Sequence, residues 1–211
     1  IGIKNMSAKK TVFVLFILLI TLQLTRFVTE QIAFLFVERN DFTGAVVSSA
    51  AMYMLTVTVL IATQTTRQPL SVLPGKFNKF YIISTMIYIA LVDASILVSE
   101  DLSFETAAAA VYACAVTPVF EEILFRGFVW NKLSGAFKNQ WITYIITTLL
   151  FALWHLGYID TVALKAHGNI AVIMLWKAIT GLCFGVVLGF ARIKAKNCYF
   201  TILLHGIDMP P

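Results

Sequence analysis

Charge is what this sequence has least of. Asp, Glu, Lys and Arg make up only 13% of its 211 residues, against about 25% in soluble domains. Hydrophobic residues account for 59%, and mean hydropathy is +0.85. A water-soluble globule is therefore excluded, and an all-α bundle of transmembrane helices is expected, with the lipid bilayer as its main partner. Cysteine is scarce as well. Cys114, Cys183 and Cys198 show no Cys-x-x-Cys spacing. That argues against a disulfide framework or a thiolate zinc site, so the three read as packing residues. Glycine and proline are few, no low-complexity linker interrupts the chain, and no internal repeat is visible. One membrane domain over 1–211 is expected. A net charge of +5 would suggest nucleic acid in a soluble protein. Here its distribution matters more than its sum, and no nucleic-acid partner is expected.

Apolar runs at 11–36, 42–66, 80–98, 107–133, 141–156, 170–191 and 197–209 predict about seven spans. The first follows a lysine-bearing tail, as a signal peptide does. It is too long for one and lacks an Ala-x-Ala-like cleavage site. The chain begins with Ile1 rather than Met, so its true start is expected to lie elsewhere. Segments 1–10, 67–79, 126–138 and 192–196 each carry three Lys or Arg and no Asp or Glu. The alternate connections, around Glu38, around Glu100 and at 157–169, are acidic or mixed. Basic connections collect on the cytoplasmic side, so the N-terminus is expected there, in a multi-pass protein of the cell membrane. At matched depth on the opposite side lie Asp93 and Lys177, which are expected to pair because a lone charge in lipid is costly. The alternatives are that Lys177 snorkels to the surface, or that Asp93 joins a functional cavity.

Against this background the stretch Glu121-Glu122-Ile123-Leu124-Phe125-Arg126-Gly127 stands out. Ionisable residues inside a membrane segment point to function by default. On a helix, Glu122 and Arg126 share a face in the favourable order, and Glu121 points roughly 100° away. One carboxylate is then held by the arginine while the other is free for chemistry. The bland alternative is a surface helix with a salt bridge. The helix of the pair and the next apolar run form a hairpin. Glu121 lies ~20 Å and His155 ~24 Å along their helices from the turn between them, so the two meet at similar depth. Phe151 shares the face of His155 one turn earlier. His205 follows an apolar run near the start of the last helix, and Asp208, three residues on, shares its face. His167 falls in a polar loop and reads as solvated. Gly181, Gly185 and Gly189 form a smooth stripe for close helix packing.

Three segments carry a family resemblance. Glu121-Glu122 with Arg126, Phe151-Ala152-Leu153-Trp154-His155, and Gly185 to Gly189 leading into Leu203-Leu204-His205 resemble the CPBP family of intramembrane proteases. That family includes type II CAAX prenyl endopeptidases and bacterial enzymes of bacteriocin maturation and self-immunity. The resemblance covers about 107–209. It implies an endopeptidase acting on a membrane-associated peptide or protein. Glu121 and His155 would activate water, His205 would stabilise the oxyanion, and Glu122 with Arg126 would hold the first helix. The family's third motif is His followed four residues later by Asn or Asp. Here that position is Met209, and Asp208 stands at plus three. The family usually has a further helix or a longer last one, which implies a chain cut short at its C-terminus.

The chemistry is coherent on its own ground. Peptide hydrolysis needs a positioned base and donors aimed at developing negative charge. One Glu and two His, Glu121, His155 and His205, are also a donor set for catalytic zinc with an open position. His-Glu-x-x-His spacing is absent, so such a site would be assembled across helices. Two other classes stay open: a non-catalytic scaffold or immunity protein that keeps the motifs, and a proton-coupled transporter. The absence of repeated halves weighs against a transporter.

Overall fold

Polar caps start the helices. Asn40 and Thr43 bond reciprocally at the start of the helix Asp41–Thr65. The side chains of Asn78, Ser103, Asn139 and Asn169 accept backbone N–H groups at the starts of the helices that follow them. Each cap satisfies a donor that the first turn leaves unpaired. The computed structural model describes residues 7–65, 70–99, 103–165 and 168–207, and every regular element among them is helical. They are α1 (Ala8–Ala33), α2 (Asp41–Thr65), α3 (Lys79–Val98), α4 (Phe104–Ala136), α5 (Gln140–Leu164), α6 (Ile170–Ala195) and α7 (Tyr199–Ile207). The first six are long and apolar enough to cross a membrane. The nine described residues of α7 reach only about 13 Å. The protein is thus a helical membrane bundle, with six long helices and a seventh short one among the described residues.

The core cluster joins α1, α2, α4 and α5 through Leu19, Met52, Phe120, Leu124, Phe125, Phe151 and Trp154. The tightest pairing is between α5 and α6, and the glycine stripe explains it. A Cβ at Gly185 would lie 3.0 Å from Thr148 Cγ2, and one at Gly189 would lie 2.6 Å from the Tyr144 ring. In lipid, helix association depends on such close packing and not on hydrophobic exclusion. By contrast α3 buries no residue and packs chiefly on α7 and α4. The expected pairing of Asp93 with Lys177 does not occur. Asp93 is exposed on α3, and the Lys177 ammonium sits 5.4 Å from the Tyr158 ring centre. Among the described residues no ion pair joins them.

One other expectation needs correction. The connection expected at 157–169 is helical to Lys165. A tight turn at His155–Tyr158 interrupts the regular winding of α5 but does not end it. Three of the basic residues counted with the connections are buried: Arg126, Lys132 and Arg192 are 0%, 7% and 7% exposed. Finally, α4 is not uniform. Wide π-type turns at Val111–Val116 and Ile123–Val129 bracket the six-residue α segment that carries the Glu pair. Such turns are frequent at functional sites because they re-aim side chains.

Candidate active site in the bundle core

The π-type turns on either side let both carboxylates point inward. Glu121 and Glu122 are 1% and 0% exposed. Glu122 Oε1 accepts from Arg126 Nη1 at 2.8 Å and lies 3.1 Å from His205 Nδ1. The Arg126 guanidinium lies 4.1 Å over the Phe151 ring. The Arg126 carbonyl accepts from Arg192 Nε at 2.8 Å. Buried charges persist only when paired and hydrogen-bonded. The Glu122–Arg126 pair meets that condition through Oε1 and Nη1, while Glu122 Oε2 and Arg126 Nε find no hydrogen-bond partner among the described residues; the cluster ties α4 to α5, α6 and α7.

Glu121 is held differently. Its Oε1 accepts from Tyr158 Oη at 2.6 Å and from Trp154 Nε1 at 3.0 Å. Among the described residues its Oε2 has no hydrogen-bond partner, and it lies 3.7 Å from His205 Nε2. That separation exceeds hydrogen-bond length. One carboxylate oxygen is therefore anchored by two donors, and the other faces His205.

The two histidines are fixed through their Nδ1 atoms. His155 Nδ1 lies 2.8 Å from the Phe151 carbonyl. A carbonyl only accepts, so Nδ1 carries the hydrogen, and in the neutral ring Nε2 presents a lone pair. His205 Nδ1 likewise donates to the Glu122 carboxylate. The Phe151 ring separates the imidazoles, with centroids 4.7 Å from His155 and 5.7 Å from His205. The His155 ring is 6.1 Å from that of Tyr158, which bonds Glu121. Two glycines make the approach possible. A Cβ at Gly181 would lie 2.8 Å from His155 Nδ1. One at Gly206 would collide with the Cys114 carbonyl inside the first π-type turn, where Tyr88 Oη already donates at 2.7 Å.

The depth of His205 follows from where α7 begins. The N–H groups of Cys198 and Tyr199 donate to the Ser71 and Val72 carbonyls, and Asn197 and Cys198 are buried. The last helix thus starts below the bundle surface, which brings His205 level with the Glu pair. Burial pushes the Cys198 thiol up to about 12, in keeping with a packing role, and among the described residues no disulfide joins the three cysteines. Asp208, Met209 and His167 lie outside the described residues.

The structure also adds residues that sequence reasoning missed. Trp154 and Tyr158 stand four residues apart on either side of His155, and Tyr158 falls in the segment 157–169 expected to be a connection. The signal was there: two polar-tipped aromatics one turn apart beside a membrane histidine. As placed, the donors do not form a metal cage. Among the described residues no group of three or more His, Cys, Asp or Glu side chains is spaced to hold a metal ion. Two concavities flank the site. One, of about 430 Å³, is an apolar groove between α1 and α5 that includes Trp154. The other, of about 900 Å³, is more polar and is lined by Glu30, Asp41, Glu105, Tyr112 and Asp160.

A family model, Type II CAAX prenyl endopeptidase Rce1-like, matches residues 103–208. Neither a curated protein nor a solved structure matches the chain. The matched span takes in α4 through α7 and both Glu121 and His205, and the chain belongs to this family of membrane proteases.

Proposed function

We propose that this member of the Rce1-like family is an intramembrane endopeptidase that uses Glu121 and His155 to activate water against a peptide bond near the end of a membrane-bound chain. The observation that carries this reading is the placement of the Glu121 carboxylate: Trp154 and Tyr158 donate to Oε1, which leaves Oε2 facing His205 Nε2 at 3.7 Å.

In this mechanism water is held between Glu121 Oε2 and the lone pair of His155 Nε2. Its oxygen attacks the carbonyl carbon as one proton passes to the protein base. The tetrahedral intermediate collapses, the carbon–nitrogen bond breaks, and that proton goes to the leaving amine. His205 faces the site with Nε2. With Nδ1 on Glu122, a proton on Nε2 would be donated to the oxyanion. Glu122 and Arg126 set the position of His205 and take no part in proton transfer.

The test uses purified protein in lipid nanodiscs with a panel of prenylated C-terminal peptides, read by mass spectrometry. Wild type should release a C-terminal fragment. Glu121→Gln keeps an oxygen for Trp154 and Tyr158 to bond but removes the base. It should lose about 10²-fold or more in rate while running as a folded monodisperse species. Full activity in Glu121→Gln would assign the base elsewhere. A chelator arm separates the routes: undiminished cleavage supports activation by protein groups alone, and chelator-sensitive cleavage restorable by zinc supports metal assistance. No cleavage of any peptide by wild type would favour a scaffold.

A further inference from the structure

The first helix lies outside the family-matched span, yet it carries a buried charge that no step above uses. Arg26 is 1% exposed. Its guanidinium donates to Gln23 Oε1 at 2.9 Å, Glu30 Oε2 at 2.9 Å, the Gly157 carbonyl at 3.0 Å and Asp160 Oδ1 at 2.7 Å. It also lies 4.9 Å from the centre of the Tyr158 ring. Gln23 in turn donates from Nε2 to the Trp154 carbonyl at 3.0 Å. A Cβ at Gly157 would meet the Gln23 side chain at 2.5 Å, so the glycine admits that side chain to the turn.

These contacts converge on one feature. Where α5 tightens at His155–Tyr158, the regular ladder of carbonyls and N–H groups is broken, and a break in lipid must be satisfied by neighbouring groups. Gln23 and Arg26 supply the missing donors at the two ends of that turn, Trp154 and Gly157. The same turn presents Trp154 Nε1 and Tyr158 Oη to Glu121 Oε1, and it carries His155. A planar guanidinium suits the task because its fork reaches several acceptors at fixed angles.

We propose that Arg26 is a positioning residue of the active site. Through the Gly157 carbonyl, Asp160 and the Tyr158 ring it fixes the tight turn that aims Trp154 and Tyr158 at Glu121. It touches neither substrate nor the reacting carboxylate. The kinetic half of the test rests on the activity proposed above; the spectroscopic half does not.

The protein has four tryptophans, so ¹⁵N-indole labelling gives four N–H signals, with that of Trp154 assigned by its loss in Trp154→Phe. Arg26→Met in a folded sample should move the Trp154 signal upfield, toward its position in Glu121→Ala, while the other three stay in place. Arg26→Lys should restore it in part. On a cleaved peptide, Arg26→Met should lower kcat by about 10²-fold, the scale expected from a misplaced catalytic group, with KM within about twofold of wild type. Should Arg26→Met fail to fold, Gln23→Leu decides. It removes the donor to Trp154 and the Oε1 partner of Arg26, and should shift the same signal in the same direction. A Trp154 signal at its wild-type position in the folded variant, or an unaltered kcat there, overturns the proposal. Wild type that cleaves nothing defeats the proposed activity alone, and the indole shift still decides the role of Arg26.

Discussion

Two helices of this bundle, α3 and α4, are both long enough to cross a membrane, and they could hardly differ more. α3 has a mean hydropathy of 2.0 and none of its most apolar stretch is buried. α4 has a mean hydropathy of 1.5, the lowest of the six, and 56% of its stretch is buried, the highest share. In water the order would be reversed. In lipid no hydrophobic force drives helices together, and apolar side chains rest as well against acyl chains as against one another. Residues that need partners turn inward instead. The centre of this protein is therefore made of Glu121, Glu122, Arg126 and the two histidines, with phenylalanines as spacers. α3 holds its place at the rim through Tyr88, Thr85 and the rings of its first turn.

The contrast predicts how each helix answers mutation. The largest effect belongs to the buried pair on α4. Glu122→Gln leaves Arg126 without its carboxylate at zero exposure and should cost about 3–5 kcal/mol, seen as loss of monodisperse protein and a large fall in thermal midpoint. A folded Glu122→Gln of wild-type stability would mean that α4 is no more sensitive than α3. Gly181→Ala comes next. Its new Cβ meets His155 Nδ1, so overpacking should cost about 1–3 kcal/mol and reduce cleavage more than that loss of stability explains. Equal activity per folded molecule would show that His155 can move without consequence.

The topology can be sharpened with smaller perturbations. A single cysteine at Asn78, in a background without the native three, should be labelled only from the cytoplasmic side. Labelling by an impermeant reagent in intact cells would invert the bundle and place the polar vestibule at Glu30 and Asp160 inside. The smallest effect is expected on α3. Ile83 is 54% exposed, and Ile83→Ala should change stability by no more than about 0.5 kcal/mol, measured in detergent and in nanodiscs. A loss as large as that from Gly181→Ala would show that α3 is gripped by something beyond lipid.

These sensitivities separate what was legible in the residues from what was not. The helical class, the seven apolar runs that form helices and the Glu122–Arg126 pair could be read directly. Hydropathy over twenty residues and a four-residue spacing are local properties that no fold overrides. Glu121, His155 and His205 could be named as candidates because ionisable groups in apolar runs are conspicuous. Tyr158 and Arg26 could not be placed. Nothing local says that a helix tightens at His155 and continues past Gly157, because the donors that satisfy the turn come from Gln23 and Arg26, more than a hundred residues away. The burial of Arg192 was hidden for a related reason. A lysine or arginine near the end of an apolar run reads the same whether it meets headgroups or, like Arg192, a carbonyl exposed by a π-type turn.

By itself, then, the sequence determined that the chain is helical, lies in a membrane and carries a dyad of glutamates with its arginine, since composition and short spacings suffice for these. Only the tertiary structure decided which oxygen of Glu121 is held by Trp154 and Tyr158, how deep His205 sits and where Arg26 of α1 finds its partners. Each depends on polar groups from distant segments meeting inside lipid, where an unsatisfied group costs several kcal/mol and only the assembled bundle supplies its partner.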